Sequence, residues 1–419
     1  MTPEAPYSLE NCLELDRVDP LAGFRNKFAF AASGNIHFDA NSMGAMTKDA
    51  PDRVHRLLTK NWRDKSRRSW STEDWLEKPR KLGASISHMI GANSQDVVVC
   101  DNTTINLFKI ISYAWKLRGS GKAILTEAHN FPTDMHVAQG FLKFLEDLGV
   151  AGHIIKAETR KQVVDKLDRN VALLYLTQTD YRSSERWDLS EMNKRAHAVD
   201  ALTIWDLSHS AGALNIDLMG TGSDFAVGCG YKYLCGGPGG PAYLFINPEH
   251  QGKSWPTIAG WMGHAHWDKF SSDFEPAANV AGHLTGTPQV VANEIFSAAA
   301  DIWSKVQRAD VADKHQSLTE TLIAILEQEC SSLGVEINSP RLYQKRGGHV
   351  SFSHAGAGQV CEALVDHGLI SSFRFPNSIR LGLSPLYHNH EDVWKAVQII
   401  KDVLFQEAWQ HPKYENVSM

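Results

Sequence analysis

The sequence is short of several things. None of its apolar runs approaches the roughly 18 residues of a membrane-spanning helix. Basic residues are not in excess. Lys and Arg number 42 against 48 Asp and Glu, giving a net charge of −6 and a pI near 6.3. That leaves no electrostatic footprint for nucleic acid. The six cysteines (Cys12, Cys100, Cys229, Cys235, Cys330, Cys361) never form a CxxC pair. This argues against a disulfide scaffold or a structural zinc site, and for a reducing compartment. The pairs His264/His266 and His388/His390 have the wrong spacing for one helical face and no cysteine nearby, so no metal site is expected. Internal repeats and low-complexity tracts are missing too. The N-terminal stretch MTPEAPYSLENCLELD is polar and acidic and reads as neither a signal nor a transit peptide, so a cytoplasmic location is expected.

What is there is an ordinary globular balance, 43% hydrophobic and 21% charged, in 419 residues. That length exceeds one small core and suggests roughly two domains of about 150 residues each. From about residue 80 to 300, short apolar runs alternate with helical patterns. VVVC (97–100), AILTE (123–127), ALLYLT (172–177), LTIWD (202–206), DFAVG (224–228) and AYLFI (242–246) read as strands. Helices are expected over INLFKIISYAW, from about 132 to 148 with Gly149 as a stop, and over SEMNKRAHAVDA. Continuous apolar strands alternating with helices indicate an α/β fold whose mostly parallel sheet is covered on both faces. One long helix is expected from NEIF to LEQE, followed by a smaller α/β unit with HVSFSH and IRLGLS as strands. The expected division is 1–52, a segment packing on the small unit or a partner subunit; 53–300, a large domain; and 301–419, a small C-terminal domain.

The stretch FAVGCGYKYLCGGPGGPAYLFI (225–246) poses the functional question. Lys232 is its only formally charged residue, and an unpaired ammonium in apolar surroundings is costly. In an open α/β sheet, ligands bind beyond the carboxyl ends of the strands. Those ends gather Asn102-Thr103-Thr104, Phe131-Pro132-Thr133-Asp134, Thr177, Asp206 with His209, and Tyr231-Lys232. Each has a bland reading. Thr103 and Thr104 open a helix and Asn102 is an ordinary N-cap. Phe131 can staple a helix start. Asp206 can cap a loop, His209 can be a satisfied core histidine, and Lys232 can reach the surface. GGPGGP lacks the Lys-Ser/Thr ending of a P-loop and reads as a turn. Taken together, the set matches one cofactor. Pyridoxal 5'-phosphate needs a lysine, an acid beside its pyridine nitrogen, phosphate donors and an aromatic residue on its ring.

The chain also resembles kynureninases, pyridoxal-phosphate enzymes of the aspartate-aminotransferase fold (fold type I). The likeness runs from about Asp39 to the helix after Asp392. It is carried by FDANSMG (38–44), RSW (68–70), NFPTD (130–134), WDLSHSAGALNIDL (205–218), GYKYLCGGPGGPAYLF (230–245), GWMGH (260–264), LTGTPQ (284–289) and IRLGLSPLYHNHEDVW (379–394). The resemblance implies hydrolysis of L-kynurenine to anthranilate and L-alanine by a homodimer with shared active sites. It makes Lys232 the cofactor's covalent anchor, puts Asp206 at the pyridine nitrogen with Asp134 close by, and stacks Phe131 on the ring. Thr103, Thr104, Tyr231, Trp261 and Thr287 would contact the cofactor, the last two from the neighbouring subunit, with Thr177 and His209 completing the shell. Tyr231 is a proton-relay candidate. Arg380 would grip the substrate α-carboxylate, and Trp70, Gly286 and Thr287 would line the aryl side. That lining offers a ring hydroxyl no good partner, so kynurenine is expected over 3-hydroxykynurenine. Two departures bear on substrate preference. AHWDKFSSDFEPA follows GWMGH, and Asp180-Tyr181-Arg182 stands where an asparagine-tyrosine-arginine text is more usual. The alternatives are another lyase of this fold, such as a cysteine desulfurase, or a non-catalytic relative. Cys330 and Cys361 fall in expected helices, which disfavours the mobile catalytic cysteine of a desulfurase.

Overall fold

The computed structural model describes residues 7–119 and 122–414. The first residues of the polar N-terminus, 1–6, and the last of the expected small domain, 415–419, lie outside the described residues.

The large unit is built on a seven-stranded sheet: β1 (Val97–Cys100), β2 (Ala123–Glu127), β3 (His153–Ala157), β4 (Val171–Thr177), β5 (Leu202–Asp206), β6 (Phe225–Cys229) and β7 (Ala242–Ile246). Their spatial order is β1-β7-β6-β5-β4-β2-β3. Only β7 runs antiparallel to its neighbours, so the carboxyl ends of the other strands share one edge. Every residue of β4 to β7 is buried, as expected for strands covered on both faces. Alternate side chains serve opposite cores: Trp205, Tyr243 and Phe245 pack on one face, Ile204, Leu244 and Ile246 on the other. Helices α1 (Thr103–Arg118) and α2 (Pro132–Asp147) cover the second face.

The six strands read from the sequence are all present, with two small shifts. β4 begins one residue earlier, at Val171, and β6 spans Phe225–Cys229 rather than 224–228. Asp224 is excluded because its carboxylate is engaged just before the strand, accepting from Thr203 N–H at 2.8 Å and paired with His250 at 2.6 Å. β3 was not expected. It is a half-exposed edge strand whose sequence, HIIKA, leaves His153 and Lys156 exposed. α2 ends at Asp147, with Gly149 beyond it at φ +76°. The helix expected over SEMNKRAHAVDA is α4 (Leu189–His197), preceded by α3 (Arg160–Lys166).

The expected long helix is two: α5 (Val290–Trp303) and α6 (Arg308–Cys330). No Gly or Pro separates them; tertiary contacts do. The Trp303 indole is fully buried and donates to Leu234 O at 3.1 Å. The carbonyls freed at the break are met by His88 Nε2, 3.1 Å from Trp303 O and 3.2 Å from Val306 O.

The small unit holds β8 (Glu336–Ile337), β9 (His349–Ser353), β10 (Ser372–Arg374) and β11 (Ser378–Gly382), in the order β8-β9-β11-β10, with α7 (Ala357–Asp366) and α8 (His390–Phe405). The N-terminal segment packs here. Ile36–His37 pairs in parallel with Leu369–Ile370, Asp39 bridges to Gly382, and Asp16 bonds His390 Nδ1 at 2.8 Å. Among the described residues, no helix is long and apolar enough to cross a membrane and no cluster of His, Cys, Asp and Glu is arranged to hold a metal.

Candidate active site

Parallel pairing lines up Thr177, Asp206 and Val227 at the carboxyl edge of the sheet. The loops leaving that edge enclose a cavity of about 170 Å³. Thr103, Thr104, Phe131, Thr133, Asp134, Thr177, Asp206, His209, Tyr231 and Lys232 all line it. Pro132 is the first residue of α2, between two of them.

Asn102 caps α1, its Oδ1 accepting from Ile105 N–H at 3.0 Å, and the first turn at Thr103 and Thr104 opens into the cavity. A helix start of this kind favours an anion. At the floor, Asp134 and Asp206 are buried together. Burial and the neighbouring Asp206 push Asp134 well above the usual carboxylate range. Burial also raises Asp206, against the opposing hydrogen bond from Ser208. Thr177 Oγ1 lies 2.7 Å from Asp134 Oδ2 and 2.5 Å from Asn130 Oδ1. One hydroxyl proton cannot serve both acceptors. A protonated Asp134 donating to Thr177, which donates on to Asn130, satisfies the set. Asp134 Oδ1 has no partner.

On the wall, Lys232 Nζ is 2.9 Å from His209 Nε2. Burial, then the Lys232 charge, holds the His209 imidazole well below its ordinary pKa. His209 is therefore neutral and accepts from the amine. Lys232 is half-buried and paired, which resolves its placement among apolar strands. The Tyr231 ring lies 5.9 Å from Lys232 Nζ, and burial raises its hydroxyl pKa. Phe131 keeps 42% of its surface exposed at the mouth and meets Tyr181 edge-on at 5.3 Å.

Arg380, in the middle of β11, reaches this cavity through Tyr181, whose carbonyl accepts from Nη1 at 2.7 Å. Its other partners are the hydroxyls of Ser42 and Ser372, both at 3.0 Å from Nη2. Burial, then Arg374, brings its pKa down to about 10. Among the described residues no carboxylate lies within ion-pair distance of it.

Besides Arg380, which touches the cavity only through Tyr181, four of the expected residues do not join the cavity of their own chain. Trp261 lines a separate aromatic recess with Trp267 and Phe270, and Gly286 and Thr287 line a cleft beside Cys100 and Met262. The backbone ties these loops to each other, Met262 N–H donating to Thr285 O at 3.1 Å. Trp70 packs edge-on against Trp75 at 5.1 Å. The sequence reading missed Ser208, Tyr181, Gly239 and Gly240, which also line the cavity. Ser208 was inside a quoted motif, and GGPGGP, read as a turn, is cavity wall as well.

The donor set fits pyridoxal phosphate: a helix start for the phosphate, a carboxyl pair with an orphaned oxygen at the floor, an amine on one wall and a ring at the mouth. Residues 311–400 match the sequence profile of the kynureninase C-terminal domain. A kynureninase of Deinococcus radiodurans is 37% identical over 93% of this chain and 95% of its own. One of Pseudomonas fluorescens is 34% identical over 97% of both. Among solved structures, a cysteine desulfurase of Thermococcus onnurineus superposes with a TM-score of 0.73 at 18% identity, covering 94% of this chain and 98% of the other. A C-DES mutant with glycine covalently linked to its PLP cofactor superposes at 0.75 and 15%, covering 90% and 98%. These last two share the fold. The near-full-length relatives show more: the chain belongs to the kynureninase family, hydrolases acting on carbon–carbon bonds in ketonic substances with pyridoxal phosphate as cofactor.

Proposed function

We propose that this chain hydrolyses the Cβ–Cγ bond of L-kynurenine to anthranilate and L-alanine, with Lys232, Asp206, Arg380 and Tyr231 as its working residues. The observation that carries the reading is a cavity lined by Lys232 and the Asp134/Asp206 pair, one of whose walls, at Tyr181, holds an arginine that has no carboxylate partner among the described residues. Lys232 and Asp206 would hold the cofactor at its aldehyde carbon and its ring nitrogen, with Thr103 and Thr104 at its phosphate. Pyridoxal phosphate, when bound, supplies an electron-withdrawing ring that stabilises negative charge on the carbon next to the substrate nitrogen. Arg380, held by neutral acceptors, offers its charge to the α-carboxylate and so orients the Cα–H bond. The Lys232 amine takes the α-proton, and His209, neutral at 2.9 Å, accepts a hydrogen bond from that amine in either of its charge states. Tyr231, on the cavity wall, would relay protons at the scissile end.

The desulfurase alternative has little support. Among the described residues no cysteine lines the cavity. Burial pushes Cys330 up to about 12 and Cys361 up to about 11, where a thiolate is scarce. The presence of Lys232, Asp206 and Arg380 together disfavours a non-catalytic relative. The reading keeps the division 1–52, 53–300 and 301–419, and a cytoplasmic setting in which the six unpaired thiols stay reduced.

The reading also includes a homodimer. Its support is that Trp261, Thr287, Gly286 and Trp70 stand away from the cavity of their own chain, and in this reading a second copy brings them to it. Light scattering gives a dimer at assay concentration; an active monomer contradicts it. For the reaction, anthranilate fluorescence on adding L-kynurenine to the pyridoxal-phosphate-loaded protein is the test. No turnover of either kynurenine or 3-hydroxykynurenine overturns the assignment.

A further inference from the structure

Arg380 is held from outside its own sheet by one loop of the large unit. Residues 180–186 leave β4 and turn sharply. Asp180 Oδ1 accepts from Arg182 N–H at 2.9 Å, Ser183 N–H at 2.7 Å and the Ser183 hydroxyl at 2.9 Å. The backbone closes the turn, with Asp180 N–H donating to Glu185 O at 2.8 Å and Ser184 N–H donating to Asp180 O at 3.0 Å. Tyr181 stands inside it. Its carbonyl accepts from Arg380 Nη1 at 2.7 Å, while its ring meets Phe131 on the cofactor side of the cavity.

The far end of the loop is tied to the small unit. Gly347 N–H donates to Ser184 O at 2.6 Å, His349 N–H to Ser184 Oγ at 3.2 Å, and Arg186 N–H to Lys345 O at 2.8 Å. His349 begins β9, which sets Ser351 opposite Arg380 of β11. The loop thus grips both the Arg380 side chain and the strand beside it. Of the three groups that accept from the guanidinium among the described residues, Ser42 comes from the N-terminal segment and Ser372 from β10. Only Tyr181 comes from the unit that carries Lys232 and Asp206. All three are neutral. They fix the plane of the guanidinium and leave its charge for an incoming carboxylate.

We infer that Asp180 is a positioning residue for carboxylate recognition. Its side chain shapes the turn that presents the Tyr181 carbonyl, and that carbonyl fixes Arg380 relative to Lys232. The inference rests on the reading of Arg380 as the carboxylate anchor. It also accounts for the departure at this position: an asparagine offers the same Oδ1 acceptor, so aspartate in its place keeps the turn.

The test compares L-kynurenine with the amine analogue that lacks its carboxylate, on the pyridoxal-phosphate-loaded enzyme. Asp180→Ala lowers kcat/KM for kynurenine by on the order of 10- to 100-fold, most of it in KM, as expected for a misplaced binding group. Inhibition by the amine analogue is unchanged. Asp180→Asn restores wild-type KM. Ser183→Ala, which removes the hydroxyl that donates to Asp180 Oδ1 at 2.9 Å and accepts from Glu185 N–H at 3.2 Å in the same turn, shifts KM in the same direction by less and serves if the alanine variant at 180 does not fold. Arg380→Ala is run beside them. If it abolishes the preference for the carboxylate-bearing compound while Asp180→Ala and Ser183→Ala do not alter it, the positioning role falls alone. If none of the variants alters that preference, the Arg380 reading falls with it. Equal weakening of both ligands in Asp180→Ala, or no rescue by Asp180→Asn, also overturns the inference.

Discussion

Gly44 stands directly against the peptide of Lys232. A Cβ added at position 44 would come within 2.2 Å of Lys232 O and 2.6 Å of Cys235 Sγ, and Gly44 N–H donates to Tyr231 O at 2.9 Å. The N-terminal segment, tied to the small unit, thus rests on the backbone of the loop that carries the amine.

Gly44→Ala therefore pushes the Lys232 peptide out of place. Forcing a methyl group into a filled site costs typically about 1–3 kcal/mol. Thermal melting should fall accordingly, and the variant should retain less pyridoxal phosphate after gel filtration, read from visible absorbance. Wild-type melting and cofactor content together would sink the argument.

Lys232 should carry the cofactor. Borohydride reduction followed by peptide mass spectrometry should place the label on Lys232, and Lys232→Ala should lower kcat by at least the 10²- to 10⁴-fold typical of a lost acid–base group. A label on any other lysine excludes the assignment.

A pH dependence is expected away from the site. Asp224 lies 2.9 Å from His197 Nε2 and 2.6 Å from His250 Nε2. Burial works to raise the Asp224 pKa, but the hydrogen bonds from the two imidazoles and from Thr203 N–H outweigh it and hold the carboxyl far below its usual range. The hydrogen bond to Asp224 in turn raises His197 above 6.5. A raised imidazole pKa stabilises the fold below the unfolded value, about 6.5, and that contribution is lost as pH rises through the folded value. The Asp224 contribution is present above about pH 3.9 and is lost only in strong acid. His197 is 42% exposed, so its share is no more than about 1 kcal/mol. Denaturant titrations at about pH 6 and pH 8 should show wild type losing stability relative to His197→Gln at the higher pH. A constant difference between the two proteins would rule this out.

Substrate preference is the sharpest test of the pocket. Trp70 can only donate a hydrogen bond, Gly286 has no side chain, and Thr287 is expected at the cofactor phosphate. In the proposed pocket an added ring hydroxyl would find no good partner, so kcat/KM should favour kynurenine over 3-hydroxykynurenine, by at most about 10²-fold. The measurement is both constants on one preparation, and a higher value for the hydroxylated compound overturns the argument.

Much of the molecule was legible in the chain. β4 to β7 read as strands because a sheet covered on both faces makes its strands continuously apolar, a signal that needs no partner to be seen. The residues at their carboxyl ends then fell together because parallel strands share one edge. Thr177, Asp206 and Lys232 are neighbours by topology, whatever the details of the loops. Other features had no local signal. β3 is a half-exposed edge strand whose pairing with β2 makes it regular. The break between α5 and α6 contains no Gly or Pro. It exists because Trp303 is drawn into the core and His88, distant in sequence, meets the freed carbonyls. The grip on Arg380 also depends on a backbone carbonyl, which every residue type carries, so Tyr181 could not be singled out in advance. By itself the sequence determined the fold class and the set of chemical groups, because burial pattern and side-chain chemistry are properties of residue type. Only the tertiary structure decided which neutral acceptors orient Arg380, and that Trp261, Gly286, Thr287 and Trp70 stand apart from the cavity of their own chain, because those relations are set by contacts between segments far apart in the chain.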